Sequence, residues 1–479
     1  MNDLPDPLVG LVLSGGGATV GFQIGALRYL YDVVGVTPGV ISGTSAGSII
    51  AALLAQADDH AEQREVLAEI ERQYETITGR SDLMVELEWF TELKKLVPAL
   101  QRVGQRRPPR HAGSQPTEEP SVNGRAAPRL GGGRPRLPGP VLRLPRWDST
   151  PVRETLSAIW SLGRLRPDFD ALLRGGRREQ SFYRRGPIFD RMLGPGVLDP
   201  ERLAGSATEL RVAVVGLESG ELRYVTGRGD LVDRANRAVP GEEPVAVVDA
   251  VHASCAIPGL YRPVRLGSEH YVDGGTRENL PVDVAMTHLG ATRCYAIDAR
   301  PTGLATEASF AAKDMMAIVL RAAAGIMADE VHLAGVARAK TEGAVLVAPE
   351  IDVLGVWEVD SGLLSIAKDY GYLRAAEACE EAGSADQQVT RDVVELRRRI
   401  WQAESSLITA RAAHGHIDPP PELVAMKWEL RDLVDQVPAS RRPPGAGQWW
   451  RGWERHSVSI EDAVTWVADV PPHDTAGTG

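Results

Sequence analysis

The fold is decided at Val40-Ile41-Ser42-Gly43-Thr44-Ser45-Ala46-Gly47-Ser48-Ile49-Ile50, where one pattern of apolar residues gives way to another. The run before Ser45 is short and β-branched, which predicts a buried strand, whereas residues 48–55 continue at helical spacing. Ser45 therefore lies on a sharp turn from strand to helix and is a candidate nucleophile. Such a turn presses together the residues two before and two after the serine, so glycine at Gly43 and Gly47 avoids a clash.

The helix that begins after Ser45 directs its positive end and its unpaired N–H groups toward the serine, which favours a developing alkoxide. The pattern G-x-S-x-G is short, however. Taken alone, it is as typical of a plain tight turn as of a catalytic serine.

A second glycine motif, Gly15-Gly16-Gly17, follows the apolar run 8–14, which predicts a first buried strand. A helical pattern comes next and the strand at Val40 follows it, as in a strand-helix-strand unit. We therefore expect the glycine loop and the Ser45 turn to lie at the carboxyl edge of a parallel sheet, where ligands bind in such sheets.

Three glycines after a strand have three interpretations. Their N–H groups approach an anion on a substrate, they hold the oxyanion of an acyl transfer, or the glycines merely allow a helix and a strand to pack closely. A dinucleotide site is excluded, because G-x-G-x-x-G requires glycine where Val20 stands, and a phosphate loop is excluded because no Gly-Lys-Ser or Gly-Lys-Thr follows. We expect an oxyanion hole at Gly15, Gly16 and Gly17.

A carboxylate closes a further strand pattern at His270-Tyr271-Val272-Asp273-Gly274-Gly275. Because Gly274 and Gly275 let the backbone turn without a side chain intruding, Asp273 is free to face a site. The same pattern also suits an aspartate that only caps a turn.

The composition limits the classes of function. The chain has 479 residues, 43% of them hydrophobic, and a formal net charge of −11, which argues against nucleic acid as the main partner. Three cysteines, far apart, fit neither a disulfide framework nor a metal site, so we expect no metal and no cofactor. No signal peptide and no apolar run of ~20 residues is evident, which predicts a cytoplasmic protein that touches membranes from outside if at all.

Three regions have other patterns. Residues 82–100 predict an amphipathic helix. Residues 104–146 carry nine arginines, nine prolines and seven glycines against two acids, which predicts a disordered insertion, either attracted to anionic lipid or simply solvated. Residues 386–479 predict a helical appendage to a catalytic unit formed by residues 1–385. Within it, tryptophans alternate with arginines at residues 448–455, which suits a membrane interface or docking onto the rest of the protein.

The motifs Gly15-Gly16-Gly17, Gly43-Thr44-Ser45-Ala46-Gly47 and Asp273-Gly274-Gly275 together resemble those of the patatin-like phospholipase family. Residues 253–259 and 279–282 also look like the family segments that flank the aspartate. The resemblance implies an α/β fold of the patatin type, a three-layer α/β/α sandwich with a mostly parallel central sheet, to which the C-terminal helical appendage is added.

The resemblance also implies a function, that of a lipid acyl hydrolase of the phospholipase A or lysophospholipase type. Ser45 would attack an ester and Asp273 would act as its base, so that an acyl-enzyme forms. Aspartate has a reference pKa of about 3.9, so this role requires Asp273 to be desolvated. The implied partners are a phospholipid or another acyl ester and a transient membrane surface, while the oligomeric state stays open.

One position departs from the family pattern. Members usually carry arginine or lysine after the Gly-Gly-Gly-x run and then another glycine, whereas Thr19 and Val20 stand here, so a cation that could assist a headgroup or brace the loop is missing. A catalytically weakened lipid-binding or regulatory protein on the same scaffold is therefore an alternative. A Ser-His-Asp hydrolase is another, with His252, His270 or His288 as the base.

Overall fold

The structure, a computed structural model, describes residues 7–92, 94, 179–304, 306, 309–311, 313, 315–355, 358–458 and 466. The insertion predicted at residues 104–146 lies outside these residues. The strands that the structure describes are β1 (Val9–Leu13), β2 (Val40–Thr44), β3 (Met84–Glu86), β4 (Tyr183–Arg185), β5 (Glu209–Gly216), β6 (Leu222–Thr226), β7 (Leu231–Asp233), β8 (Val264–Leu266), β9 (Glu269–Asp273), β10 (Arg293–Ile297) and β11 (Val345–Val347).

The larger of two sheets has the strand order β11-β10-β1-β2-β5-β6-β7, with β9 pairing both β5 and β8. The five strands from β11 to β5 are parallel to one another. Antiparallel pairs extend the sheet beyond β5, through β6 and β7 and through β9 and β8. The central part of the sheet is therefore parallel, as predicted.

Helices surround this sheet. The α-helices of the described residues are Gly21–Tyr29, Ala46–Leu54, His60–Glu75, Arg80–Leu83, Pro187–Leu193, Pro200–Gly205, Val247–Ser254, Met315–Leu320, Met327–Thr341, Ser361–Cys379, Ser384–His414, Pro421–Gln436 and Gln448–Arg451. Short 3₁₀ turns occur at Gly17–Val20, Gly274–Thr276 and Ala439–Arg441, and π-helical turns at Leu30–Val34, Val284–His288 and Arg321–Ile326.

Both faces of the sheet are buried. Successive side chains of a strand point to opposite faces, so Leu11 and Leu13 join the large core formed with the helices that follow β1 and β2. Val12 faces the other side and packs in a second core with Ala285 and Ala339. Helices thus cover the sheet on two sides, which confirms the predicted three-layer α/β/α fold.

The strand order brings three loops to one edge of the sheet. Because β1 and β2 are adjacent and parallel, the loops that follow Leu13 and Thr44 leave the sheet at the same edge. Strand β9 runs antiparallel to β5, with Asp273 opposite Val214 near the carboxyl end of β5. The end of β9 therefore reaches the loops of β1 and β2.

The helix predicted for residues 82–100 is wrong in its first part. Residues 84–86 form strand β3, which pairs in antiparallel register with β4. Met84 is buried beside Phe90 and Tyr183 in a small separate core. Pairing with a strand about a hundred residues away overrides the local helical pattern, as often happens for short segments.

The C-terminal helices pack against the helix Ser361–Cys379. Their core includes Trp449 and Trp450, which are 8% and 9% exposed. Arg397 is buried between Asp369, at 2.8 Å, and Glu454, at 2.7 Å. The tryptophans at residues 449 and 450 therefore lie inside the protein, as the docking alternative requires.

Two further observations concern the described residues as a whole. Among them, no helix has the combination of length and apolar composition that crossing a membrane requires. The three cysteines are unpaired thiols, with Cys255 and Cys294 buried and Cys379 half-buried.

Candidate active site

Ser45 has a strained backbone conformation between β2 and the helix Ala46–Leu54. Its φ of 53° and ψ of −130° lie where a residue with a side chain is rarely found. A Cβ on Gly43 would lie 2.7 Å from the carbonyl oxygen of Gly47, and a Cβ on Gly47 would lie 2.5 Å from the carbonyl oxygen of Ser14. Gly43 is thus required for the steric reason expected from the sequence, whereas Gly47 is required because the end of strand β1 approaches it.

A buried serine from another element supports this turn. The backbone N–H of Ser45 donates to Ser254 Oγ at 2.9 Å, and Ser254 Oγ donates to the carbonyl oxygen of Ala213 at 2.7 Å. Ser254 ends the helix Val247–Ser254 and is fully buried. Sequence reasoning gave Ser254 no role of its own. Its position at the end of an apolar helix, within the segment 253–259 that resembles the family, was the signal available.

The carboxyl group of Asp273 lies against Ser45. It accepts a hydrogen bond at 2.8 Å from the backbone N–H of Gly275. Asp273 is only 5% exposed. Burial raises the pKa of Asp273 to about 7, while the nearby Ser45 hydroxyl and the Gly275 N–H act in the opposite direction. Near neutral pH, such a carboxyl group accepts a proton from a hydroxyl more readily than an ordinary aspartate does.

The two glycines after Asp273 allow close approach. A Cβ on Gly274 would lie 2.5 Å from the carbonyl oxygen of Ala213 in β5, and a Cβ on Gly275 would lie 3.1 Å from Asp273 Oδ1. Larger residues would push the Asp273 carboxyl group away from the sheet edge. Steric contacts within the fold therefore explain why glycine occupies both positions after Asp273.

The glycine loop reaches Ser45 from the end of β1. A Cβ on Gly15 would lie 3.0 Å from the Cβ of Ser45, so the missing side chain lets the loop come close. The N–H of Gly15 donates to the carbonyl oxygen of Asn279 at 3.2 Å. No described residue accepts a hydrogen bond from the N–H of Gly16 or of Gly17. Two of the three predicted donors are therefore available to a ligand, and that of Gly15 is already engaged.

Short hydrogen-bonded contacts hold the glycine loop in place. Thr19 Oγ1 donates to the carbonyl oxygen of Gly16 at 2.8 Å, and Gln23 Nε2 donates to that of Ser14 at 2.7 Å. The backbone N–H of Ala299 donates to Ser14 Oγ at 2.9 Å. Thr19 thus braces the loop two residues after Gly17.

An apolar pocket that is open to solvent adjoins Ser45. Its lining is apolar apart from a few small or aromatic polar groups, and it comprises Gly17, Ala18, Val20, Ile24, Ser45, Ala46, Ile49, Ile50, Tyr74, Ile77, Leu83, Met84, Ile188, Phe189, Met192, Cys255, Ile257 and Tyr261. Burial raises the pKa of the Cys255 thiol well above its usual range, so this group stays neutral. The pocket suits a hydrocarbon chain better than a polar ligand.

The histidines considered as alternative bases lie elsewhere. Burial lowers the pKa of His252 to about 4, His270 pairs with a glutamate at the surface, and His288 is exposed. None of the three hydrogen-bonds to Ser45 or to Asp273. Within the described part of the chain, no cluster of three His, Cys, Asp or Glu side chains forms a potential metal site.

The chain was compared with known proteins. VipD from Legionella pneumophila is 13% identical in a superposition that covers 97% of this chain and 94% of VipD, with a TM-score of 0.31. ExoU from Pseudomonas aeruginosa, in complex with SpcU, is 15% identical over 93% of this chain and 70% of its own, with a TM-score of 0.26. No curated protein shows significant similarity.

The TM-scores of these superpositions are too low to assign a family, so the assignment rests on the sequence match. A family model described as patatin-like phospholipase matches residues 11–286, which is more than half of the chain. The match includes Ser45, Asp273 and the glycine motifs around them. The chain belongs to the patatin-like phospholipase family.

Proposed function

We propose that this protein hydrolyses acyl esters of lipids, as a phospholipase A or a lysophospholipase-like esterase, through an acyl-enzyme on Ser45. Members of the family are lipid hydrolases, which supports the reaction class. The observation that carries the proposal is the position of the buried Asp273 carboxyl group next to the Ser45 hydroxyl, beside an apolar pocket.

In the acylation step, Ser45 Oγ attacks the ester carbonyl carbon and its proton passes to the Asp273 carboxylate. The carbonyl electrons move to oxygen, which gives a tetrahedral oxyanion. When this intermediate collapses, the bond to the alcohol oxygen breaks and Asp273 returns the proton to the leaving alcohol. A pKa near 7 lets Asp273 serve in both directions near neutral pH.

The backbone N–H groups of Gly16 and Gly17 are our proposed donors to the oxyanion. Both lack a partner among the described residues, whereas the N–H of Gly15 is engaged by Asn279. Gly15 contributes by allowing the loop to approach Ser45. Donors held in place before the reaction stabilise the oxyanion without reorganisation, and one such donor is typically worth about 10²–10³ in rate.

In the second step, water attacks the acyl carbon of the ester on Ser45. Asp273 takes a proton from that water, and the new oxyanion occupies the same N–H groups. Collapse breaks the bond to Ser45 Oγ, to which Asp273 returns the proton, and a fatty acid leaves. The apolar pocket would hold the acyl chain in both steps.

The groups named above lie before residue 386. We therefore propose residues 1–385 as the catalytic unit and residues 386–479 as a helical appendage that packs on it, where Arg397 contacts Asp369.

Ser45→Ala and Asp273→Asn test this function. With purified full-length protein, we expect each variant to reduce hydrolysis of p-nitrophenyl esters and of phosphatidylcholine to background, because one lacks the nucleophile and the other its base. Circular dichroism checks that each variant is folded. Full ester hydrolysis by a folded Ser45→Ala variant would refute the role of Ser45.

A lipid-binding or regulatory protein without catalysis is the second candidate, because Thr19 stands where relatives carry a cation. Labelling with a fluorophosphonate separates the two. A serine hydrolase forms a covalent adduct at Ser45, which Ser45→Ala abolishes. An unlabelled wild-type protein that still binds vesicles would favour the second candidate.

A further inference from the structure

One helical segment of the described structure exposes an unusual number of large apolar side chains. Ten such side chains are exposed among the described residues, and five of them lie within 13 residues of one another: Met315, Ile318, Val319, Ile326 and Met327. Each is 51–65% exposed. Met315, Ile318 and Val319 are three and four residues apart, so they share a face of the helix. We call these five residues the apolar face.

The apolar face lies at the beginning of a helical segment whose later part is anchored near the glycine loop. The helical segment continues from Met315 to Thr341 through the π-helical turn Arg321–Ile326. Its second half is anchored, because His332 forms a buried pair with Asp298 and Asp329 pairs with Arg300 at 2.8 Å.

The residues that anchor this helix also contact the glycine loop. Asp298 and Arg300 flank Ala299, whose Cβ lies 2.6 Å from where a Cβ on Gly16 would be. The N–H of Ala299 also donates to Ser14 at the start of that loop. Met327, at the end of the apolar face, is two residues from the anchored Asp329. The apolar face is thus linked, through the His332–Asp298 contact and the Arg300–Asp329 ion pair, to the loop that approaches Ser45.

The charged residues between positions 315 and 327 indicate what kind of partner the apolar face can bind. Between residues 315 and 327, Arg321 is the single charged residue in the sequence and no acid is present. An apolar surface without acids fits a phospholipid bilayer, whose interior accepts apolar side chains and whose headgroups carry phosphate. Two methionines add flexible side chains that adapt to an irregular surface.

We propose that the apolar face is the surface through which this protein contacts a phospholipid bilayer, with its active site held at the lipid interface. The inference deepens the proposed function, since a lipid hydrolase has to reach esters that are packed in a membrane. It also differs from the surface that the tryptophans suggested, because Trp449 and Trp450 are buried.

Vesicle binding of a paired set of variants tests the proposal. All proteins carry Ser45→Ala, so that vesicles are not degraded, and binding to phosphatidylcholine vesicles with and without phosphatidylglycerol is measured by flotation. The test variant is Ile318→Asp/Val319→Asp. The control is Val33→Asp/Leu217→Asp, whose two positions have the same 51% exposure but lie elsewhere.

We expect the test variant to bind at least about tenfold more weakly than the parent, because two apolar side chains that enter the bilayer become charged. The control should stay within about twofold of the parent, and thermal unfolding should show both folded. Equal binding by test variant and parent, an equal loss in the control, or a parent that does not bind vesicles would overturn the proposal.

Other occupants of the apolar face give different results. A second copy would appear as a dimer in size-exclusion chromatography that the test variant dissociates, and a cover from this chain would protect residues 315–327 from hydrogen exchange without vesicles. Either result overturns the proposal. Failure of the proposed function appears separately, as a wild-type protein that binds vesicles through this face but does not hydrolyse soluble esters.

Discussion

The buried carboxyl group of Asp273 sets the pH dependence of the proposed reaction. The carboxylate form is the base, and its pKa is raised to about 7 by burial. We therefore expect kcat/KM for a soluble ester to rise about tenfold per pH unit below pH 7 and to level off above it, so that the value at pH 5 is roughly a hundredfold below that at pH 8. A profile that is flat from pH 5 to pH 8 would contradict this role.

The same pKa also predicts how stability varies with pH. Because the pKa is higher in the folded than in the unfolded protein, folding is favoured by protonated Asp273 below pH 4, and this contribution is lost as pH rises through 7. Asp273→Asn cannot ionise. We expect it to raise the free energy of unfolding at pH 8 by up to about 4 kcal/mol, and by nothing below pH 4. Urea unfolding at the two pH values measures the difference. An equal effect of Asp273→Asn at both pH values would show that the pKa of Asp273 is not raised in the folded protein.

The strained backbone of Ser45 leads to a prediction about two inactive variants. Ser45→Ala keeps a Cβ at a φ of 53°, whereas Ser45→Gly removes it. We expect Ser45→Gly to be more stable than Ser45→Ala by about 1 kcal/mol, since glycine adopts positive φ without a steric penalty. Urea unfolding of both variants provides the measurement, and an Ala variant as stable as the Gly variant would mean that the turn relaxes.

At the scale of single residues, the sequence indicated those functional positions that are determined by neighbours in the chain. Gly43 and Gly47 were expected because a tight turn around Ser45 leaves no room for side chains. The structure shows that contact for Gly43, whereas Gly47 is confined by the end of strand β1. Ser254 and Asn279 could not be assigned in this way. They reach the turn and the glycine loop from 209 and 264 residues away along the chain, so their partners are set by folding alone.

At the scale of elements, the pocket beside Ser45 predicts a preference for longer acyl chains. Each methylene that enters the pocket gains about 0.8 kcal/mol, which corresponds to roughly fourfold in kcat/KM per methylene until the pocket is full. Met192→Ala should shift the optimum to longer chains, because Met192 lines the pocket from the helix Pro187–Leu193. A series of p-nitrophenyl esters from acetate to laurate tests both statements. The same optimum in both proteins would show that Met192 does not limit the chain.

Strands and helices with a strong apolar pattern were predictable, because the spacing of their apolar residues reflects which face of the element is buried. Strands β1, β2 and β9 and the helix that follows Ser45 appear where the sequence indicated them. Strand β3 was missed, since a three-residue strand carries almost no period of its own. It exists because Tyr183–Arg185 lies beside it.

At the scale of the whole molecule, buried ion pairs of Arg397 join the helices Ser361–Cys379 and Ser384–His414 to the chain around Glu454. Arg397 is 2% exposed and pairs with Glu454 and Asp369. Glu454→Ala would leave this buried charge partly uncompensated, so we expect the free energy of unfolding to fall by about 3–5 kcal/mol. Thermal or urea unfolding of the full chain measures the loss.

The matched control is Glu62→Ala, which removes an ion pair with Arg202 at the surface. Both side chains of that pair are about half exposed, and water already solvates them. We expect a loss of no more than about 1 kcal/mol. A Glu454→Ala variant as stable as the Glu62→Ala variant would show that the C-terminal segment contributes little to the fold.

The sequence by itself determined the α/β fold class, the family and the residue types needed for acyl transfer, because each of these is encoded in short motifs and in the spacing of apolar residues. Only the tertiary structure decided that Asp273 is buried against Ser45, that the Gly15 amide is engaged, that Trp449 and Trp450 are buried and that the five residues of the apolar face are exposed. The physical reason is that burial, and with it pKa and exposure, depends on contacts between segments far apart in the chain, which no local pattern specifies.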